Sequence, residues 1–247
     1  MTGPTAATPL NGQETVVACW RALAATSPGA MLVVTPHSVV AVFPSFAPWN
    51  NAIVLSPHNV DLAAEVVRVS DVYHRAQVSS WAFWVPSPAM SLNEPDEITK
   101  VPGLKRDATT LVMQASAGET RALWDAARPA SIADAIRATD EPIPTSELDG
   151  IDTDSRLLAG WVVLDDEVAV AGAYRYLHGT DCGIYAVGTA PDWRRRGIGK
   201  RLVAHIMADA ARHGARTATL QSVPAARRMY EWLGFEAVGR YEEWVPA

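Results

Sequence analysis

Cysteine is scarce in this chain. Cys19 and Cys182 are the only two thiols in 247 residues, which excludes a disulfide framework and gives no metal-ligand spacing. Basic charge is also short: 21 Lys and Arg stand against 27 Asp and Glu, for a net charge of -6. Nucleic acid is therefore not expected as a main partner, because its binders concentrate positive charge. No run of about 18 apolar residues occurs, so no membrane span is expected. The first twelve residues lack a basic stretch followed by an apolar one, so they read as a loose tail rather than a signal peptide. These absences predict a soluble, cytoplasmic protein without a metal. What remains is ordinary globular material, 49% hydrophobic and 19% charged, enough for two lobes of the usual size of about 100 to 150 residues.

Periodicity fills in both lobes. Residues 14–26 read as a helix with Val17, Trp20 and Leu23 on its apolar face, stopped by Ser27-Pro28-Gly29. Residues 31–35 and 39–43 read as a hairpin, 52–55 as a short strand, and 61–76 as a helix with Leu62, Val66, Val69 and Tyr73 along one face. Residues 81–85 are a further strand. The Pro- and Asn-containing stretch 86–103, in which 94–101 has the pattern of a short helix, marks a boundary, giving lobes at 1–103 and 104–247. The second lobe opens with a strand at 109–114 and helices at 120–127 and 131–139. A polar loop (140–155) leads to a hairpin formed by 156–164 and 168–176 and turned at Asp165-Asp166. A strand at 182–189, a helix at 197–213 with Ile198, Leu202, Ile206 and Ala210 in one stripe, a strand at 217–220, a helix and a final strand to about Trp244 complete the order.

The segment from Ala186 to Lys200, A-V-G-T-A-P-D-W-R-R-R-G-I-G-K, is the most informative. A strand passes through a Pro-Asp turn into a glycine-bearing loop that opens a helix. The first-turn amides of a helix have no intrahelical partners and lie at its positive dipole end, so such a junction suits an anion. Two common phosphate motifs fail here. A Walker loop needs glycine where Arg194 stands and Ser or Thr where Arg201 stands, and a dinucleotide fingerprint needs its third glycine at Leu202.

The R-x-x-G-x-G pattern over Arg194, Gly197 and Gly199 resembles the GNAT superfamily of acyl-CoA-dependent N-acetyltransferases. A second segment agrees: Tyr230-Glu231-Trp232-Leu233-Gly234-Phe235 is similar to the closing Y-x-x-x-G-F of that family, with Gly234 as a left-handed helix stop. The resemblance implies an α/β (α+β) fold, a mixed and mostly antiparallel sheet flanked by helices, over residues 104–247. The strand-helix-strand run at 52–85 has the layout of the end of the same fold. The N-terminal lobe is thus expected to be a degenerate half-repeat or an unrelated cap.

The resemblance also implies roles. Acetyl-CoA would be the co-substrate and an amine the acceptor. The backbone of Ala186, Val187 and Thr189 would hold the pantetheine arm, with an amide there facing the thioester oxygen. The loop of Arg194, Arg195, Arg196, Gly197, Ile198, Gly199 and Lys200 would hold the diphosphate, with Lys200 or Arg201 within reach of coenzyme phosphates. Tyr230 would be the general acid, since a phenol stays protonated beside a departing thiolate. The family's strand carboxylate is missing, because Cys182-Gly183-Ile184-Tyr185 occupies its place. Asp181, His178, Glu119 and Glu147 are alternative bases, and water or an already neutral amine would serve as well. Trp49, Asn50, Asn51, Trp81 and Trp84 are candidates for a cleft lining. An acyl-CoA sensor without turnover, or a nucleotide-binding interaction module, is the alternative to an enzyme.

Overall fold

A computed structural model describes residues 11–56, 60–88, 100–118, 123–139 and 156–247. Backbone contacts divide the chain into two compact units, Met1–Val112 with Ala237–Ala247, and Met113–Glu236. The final strand, assigned from sequence to the second lobe, thus groups with the first unit.

In the first unit the order is α1 (Gln13–Thr26), β1 (Met31–Val34), β2 (Ser38–Val42), β3 (Asn51–Val54), α2 (Leu62–Arg75), β4 (Ala82–Ser87) and the opening of β5 (Leu104–Ser116), joined by most of β11 (Glu236–Pro246). The β1–β2 and β2–β3 pairs are antiparallel, β3–β4 is parallel, and β11 lies antiparallel to β4 through Trp244↔Phe83 to Arg240↔Ser87. That pairing is why the last strand belongs here. The Asp61 side chain caps α2 by accepting from the Ala64 amide at 3.1 Å, as N-terminal carboxylates do. Its face of Val66, Val69 and Tyr73 packs on Val40, Val42, Ala52, Val54, Phe83 and Trp244. The Tyr73 hydroxyl donates to the Ala41 carbonyl at 3.0 Å.

The second unit contains β6 (Ala127–Ala130), α3 (Ile132–Arg137), β7 (Leu158–Asp165), β8 (Val168–His178), β9 (Asp181–Thr189), α4 (Ile198–Arg212), β10 (Thr217–Ser222) and α5 (Arg227–Trp232). Strands β6 to β9 pair antiparallel in sequence, and β10 adds parallel to β9. The expected mixed, mostly antiparallel sheet with flanking helices is what forms. On α4, Leu202, Ile206 and Ala210 are fully buried, as their spacing of four predicts. Buried Arg175 of β8 ties that layer together, binding Asp209 of α4 at 2.9 Å and donating to the Arg156 and Leu157 carbonyls at 3.1 Å.

Two readings need correction. The hairpin turns at Asp166-Glu167 rather than Asp165-Asp166, because Asp165 still pairs with Val168 and both turn residues adopt positive φ, 43° and 70°, the pattern of a type I′ turn. The helix expected at 120–127 does not reach its end. Ala127 begins β6, opposite Val163, and Pro129, which has no amide to give a ladder, sits on a strand that ends the sheet order. Residues 119–122, the loop 140–155 and most of the helix expected at 94–101 lie outside the described residues.

α3 lies so close to β8 that a Cβ on Gly172 would stand 1.9 Å from the Ala135 carbonyl oxygen. Backbone cannot yield as a side chain can. Gly172→Ala is expected to cost about 3 kcal/mol, the upper range for overpacking, read as a lower urea midpoint with unchanged slope.

Candidate functional site

The site begins with an irregularity in β9. Gly172 pairs with Gly188, but the next partner is Tyr174 with Tyr185, so Ala186 and Val187 together face Ala173. This is a β-bulge, and Ala186 takes φ 50°, a conformation an alanine adopts only where its surroundings enforce it. The opposite edge of β9 is released as well. β10 pairs with it only at Asp181, Cys182 and Gly183, so the two strands part beyond Gly183. Backbone groups of β9 from Ile184 onward therefore face a gap between strands instead of a ladder.

After Thr189 the chain makes a 3-10 turn over Pro191–Trp193. Arg194 Nε donates to the Thr189 carbonyl at 2.9 Å, a guanidinium nitrogen of Arg196 donates to the Asp192 carbonyl at 3.0 Å, and Arg196 lies 4.5 Å from the Trp193 ring centre. Two of the three arginines thus brace the loop. Arg195 and Gly197 adopt left-handed φ of 61° and 77°. Alternation of this kind turns successive amides toward one side and makes an anion-binding concavity. Gly197 caps α4 without any side-chain bond, and the first amide to bond within the helix is that of Arg201, to the Gly197 carbonyl at 3.1 Å. The amides of Ile198, Gly199 and Lys200 precede it.

These amides open on a cavity of about 420 Å³. Thr189, Trp193, Arg194, Arg195, Gly197, Ile198, Gly199 and Lys200 line it together with Arg228, Met229 and Trp232 of α5. A Cβ on Gly199 would project into it, 3.4 Å from Thr189 Oγ1 and 3.6 Å from Met229 Sδ. Four cationic side chains and no carboxylate surround this space, against the chain's net charge of -6.

Of the residues singled out in the sequence, seven meet at this cavity. Ala186 and Val187 sit instead at the bulge, and Arg196, over the Trp193 ring, does not line the cavity. Tyr230 follows Met229 on α5 but does not line the cavity. It is buried, its ring 5.8 Å edge-on from Phe235, and burial pushes its phenol well above the usual value. Gly234 takes φ 87° and the Phe235 amide bonds back to the Tyr230 carbonyl at 3.0 Å, so the closing motif ends its helix as its glycine predicts.

Asp181 accepts from the hydroxyls of Thr217 and Thr219 at 2.7 Å each, while His178 is exposed at the end of β8. Glu119 and Glu147 lie outside the described residues. At the position of the missing carboxylate, the Tyr185 hydroxyl stands 2.1 Å from where a Gly183 Cβ would be, so glycine makes room for that phenol. Its ring leans on Tyr174 at 5.4 Å. The proposed cleft residues serve packing within the first unit. Trp49 contacts Phe43 and Phe46, the Asn50 side chain bonds both backbone groups of Phe43, Asn51 donates to the Pro48 carbonyl, Trp81 stacks on Tyr73, and Trp84 meets Trp20 and Tyr241. The sequence reading missed the contribution of α5. Arg228 and Trp232, four apart, share a helix face, which was the available signal.

Among the described residues no cluster of three metal-ligating side chains occurs, and no helix is long and apolar enough to cross a membrane. No curated protein matches the chain. Residues 121–235 match the model of the acetyltransferase (GNAT) family. Among solved structures, a GCN5-related N-acetyltransferase from Kribbella flavida is similar over 94% of both chains, with a TM-score of 0.63 at 17% identity. One from Sphaerobacter thermophilus covers 94% of this chain and 84% of its own, with a TM-score of 0.58 at 16% identity. A tandem GNAT protein from the clavulanic acid biosynthesis pathway covers 96% and 97%, with a TM-score of 0.54 at 12% identity. The likeness to that tandem protein spans both units, in keeping with a degenerate first half.

Proposed function

We propose, for a chain whose residues 121–235 belong to the acetyltransferase (GNAT) family, that it is an N-acetyltransferase moving the acetyl group of acetyl-CoA to a primary amine of a small molecule, peptide or protein. The observation that carries this reading is the unbonded first turn of α4 opening on a cationic cavity beside a strand, β9, that bulges against β8 and parts from β10. The diphosphate would lie on the amides of residues 195–200, and the pantetheine arm would run along β9 at Ala186, Val187 and Thr189. An amide turned outward at the bulge would face the thioester oxygen, where a preorganised donor favours the charge that develops on it.

The neutral amine attacks the carbonyl carbon, the C–N bond forms and the C–S bond breaks. The departing thiolate takes its proton from Tyr230, the extra amine proton leaves to water, and the phenolate regains a proton from water. Burial favours the protonated phenol, which suits a donor. The absence of a carboxylate at Gly183 supports a route in which the amine arrives neutral or loses its proton through water. Cytoplasmic placement accompanies the reading, since the donor and two unpaired, buried thiols both belong to a reducing compartment.

The same absence favours one alternative, an acyl-CoA sensor without turnover. Incubation with acetyl-CoA and a panel of primary amines, following free thiol, tests the two. Amine-dependent thiol release is expected; saturable binding with no release for any amine would favour the sensor.

A further inference from the structure

The sheet of the second unit carries α3 on one face and α4 on the other, and β8 shows which residue points where. Arg175 reaches Asp209 of α4 at 2.9 Å, while a Cβ on Gly172 would meet the Ala135 backbone of α3. Alternation along a strand then puts Tyr174 on the α3 face. Its partner across the ladder is Tyr185 of β9, and residues directly opposite share a face. Tyr185 therefore points away from α4.

The half-buried Tyr185 side chain lies back along its own strand. Its ring leans on Tyr174, with centres 5.4 Å apart, and its hydroxyl stands over Gly183, where a Cβ would collide with it. Gly183 is also the last residue of β9 that pairs with β10, through Thr219. A phenol oxygen thus hangs at the head of the gap between the strands, on the face that α4 does not cover. Asp181, two residues before Gly183 on that face, already accepts from Thr217 and Thr219 at 2.7 Å each. Between Gly183 and the bulge, Tyr185 is the one polar side chain that β9 turns to this face.

Resting on the acetyl-transfer reading, we propose that Tyr185 positions the acceptor amine. With the coenzyme on the α4 side, the amine reaches the thioester from the α3 side, through the gap. The phenol oxygen accepts a hydrogen bond from one amine N–H and leaves the nitrogen lone pair free to attack the carbonyl carbon. A hydroxyl oxygen can accept whatever its own proton is bonded to. The bond is made before attack and kept through it, so its loss shows in KM rather than kcat. Gly183 belongs to the same device, because any side chain there would push the phenol aside.

Steady-state kinetics of the full chain, with an amine that drives thiol release, test this beside a calorimetric titration with CoA. Tyr185→Phe keeps the ring against Tyr174. It is expected to raise the KM for the amine about tenfold, to change kcat by less than about threefold and to leave CoA affinity unchanged. Gly183→Ala should give the same split, because its Cβ displaces the phenol. The double variant should be no worse than the poorer single one, since both changes remove one interaction. An amine KM untouched by Tyr185→Phe, CoA binding weakened along with it, or losses that multiply in the double variant would overturn the role of Tyr185 while sparing the donor assignment. A wild type that binds CoA but releases thiol with no amine would overturn acetyl transfer and this role with it.

Discussion

Gly199→Val is expected to lower acetyl-CoA affinity about a hundredfold, close to 3 kcal/mol, with no loss of thermal stability. Two facts separate these effects. Gly199 lies within α4 without a left-handed φ, and replacing a helical glycine by a residue with a Cβ favours the helix. A Cβ there also meets only side-chain atoms from other parts of the chain, Thr189 Oγ1 and Met229 Sδ, at van der Waals distance. The valine methyls would occupy the space into which the first-turn amides open, and phosphate oxygens could no longer approach them. Calorimetric titration beside a thermal melt measures both quantities. Retained affinity in a well-folded variant would mean that phosphate does not sit on this turn. Gly197→Ala differs in kind: φ of 77° makes any side chain strained there, so stability and binding should fall together.

Tyr230→Phe is expected to reduce kcat about a hundredfold and to change the KM for acetyl-CoA by less than about threefold, the signature of a group used in the transition state. Phenylalanine preserves the edge-on contact with Phe235 at 5.8 Å, so only the hydroxyl is lost. The direction of its titration supports the assignment. Burial holds the phenol above its ordinary value, so it remains a proton donor over the whole neutral and alkaline working range, and the wild-type rate should not fall through its ionisation. Unchanged kcat would remove Tyr230 from the chemistry and leave proton delivery to water.

Much of the second unit could be read along the chain because each signal there is local. Gly234 takes the left-handed conformation its place after a helix demands, and Leu202, Ile206 and Ala210 of the α4 stripe are buried, while Ile198 at its start lines the cavity. The bulge at Ala186 was not legible, since a register shift is set by the pairing of β9 with β8 and by the parting of β10, both long-range events. The same applies to the helix expected near residue 124, where pairing of Ala127 with Val163 overrides local preference. Aromatic residues on strands of the first unit pointed to a cleft by composition alone, and packing against Phe43, Tyr73, Trp20 and Tyr241 absorbed them. Around the cavity the glycine loop was visible as a motif. The facing Arg228 and Trp232 were not, because only the folded chain brings α5 across from α4.

The proposed binding mode depends on a few main-chain hydrogens, and amide proton–nitrogen spectra of labelled protein titrated with CoA observe them directly. The largest downfield proton shifts at saturation are predicted for Ile198, Gly199 and Lys200, as their amides exchange water for phosphate oxygen. Saturation that leaves those three resonances in place while others move would mean that CoA phosphate does not lie on the first turn of α4.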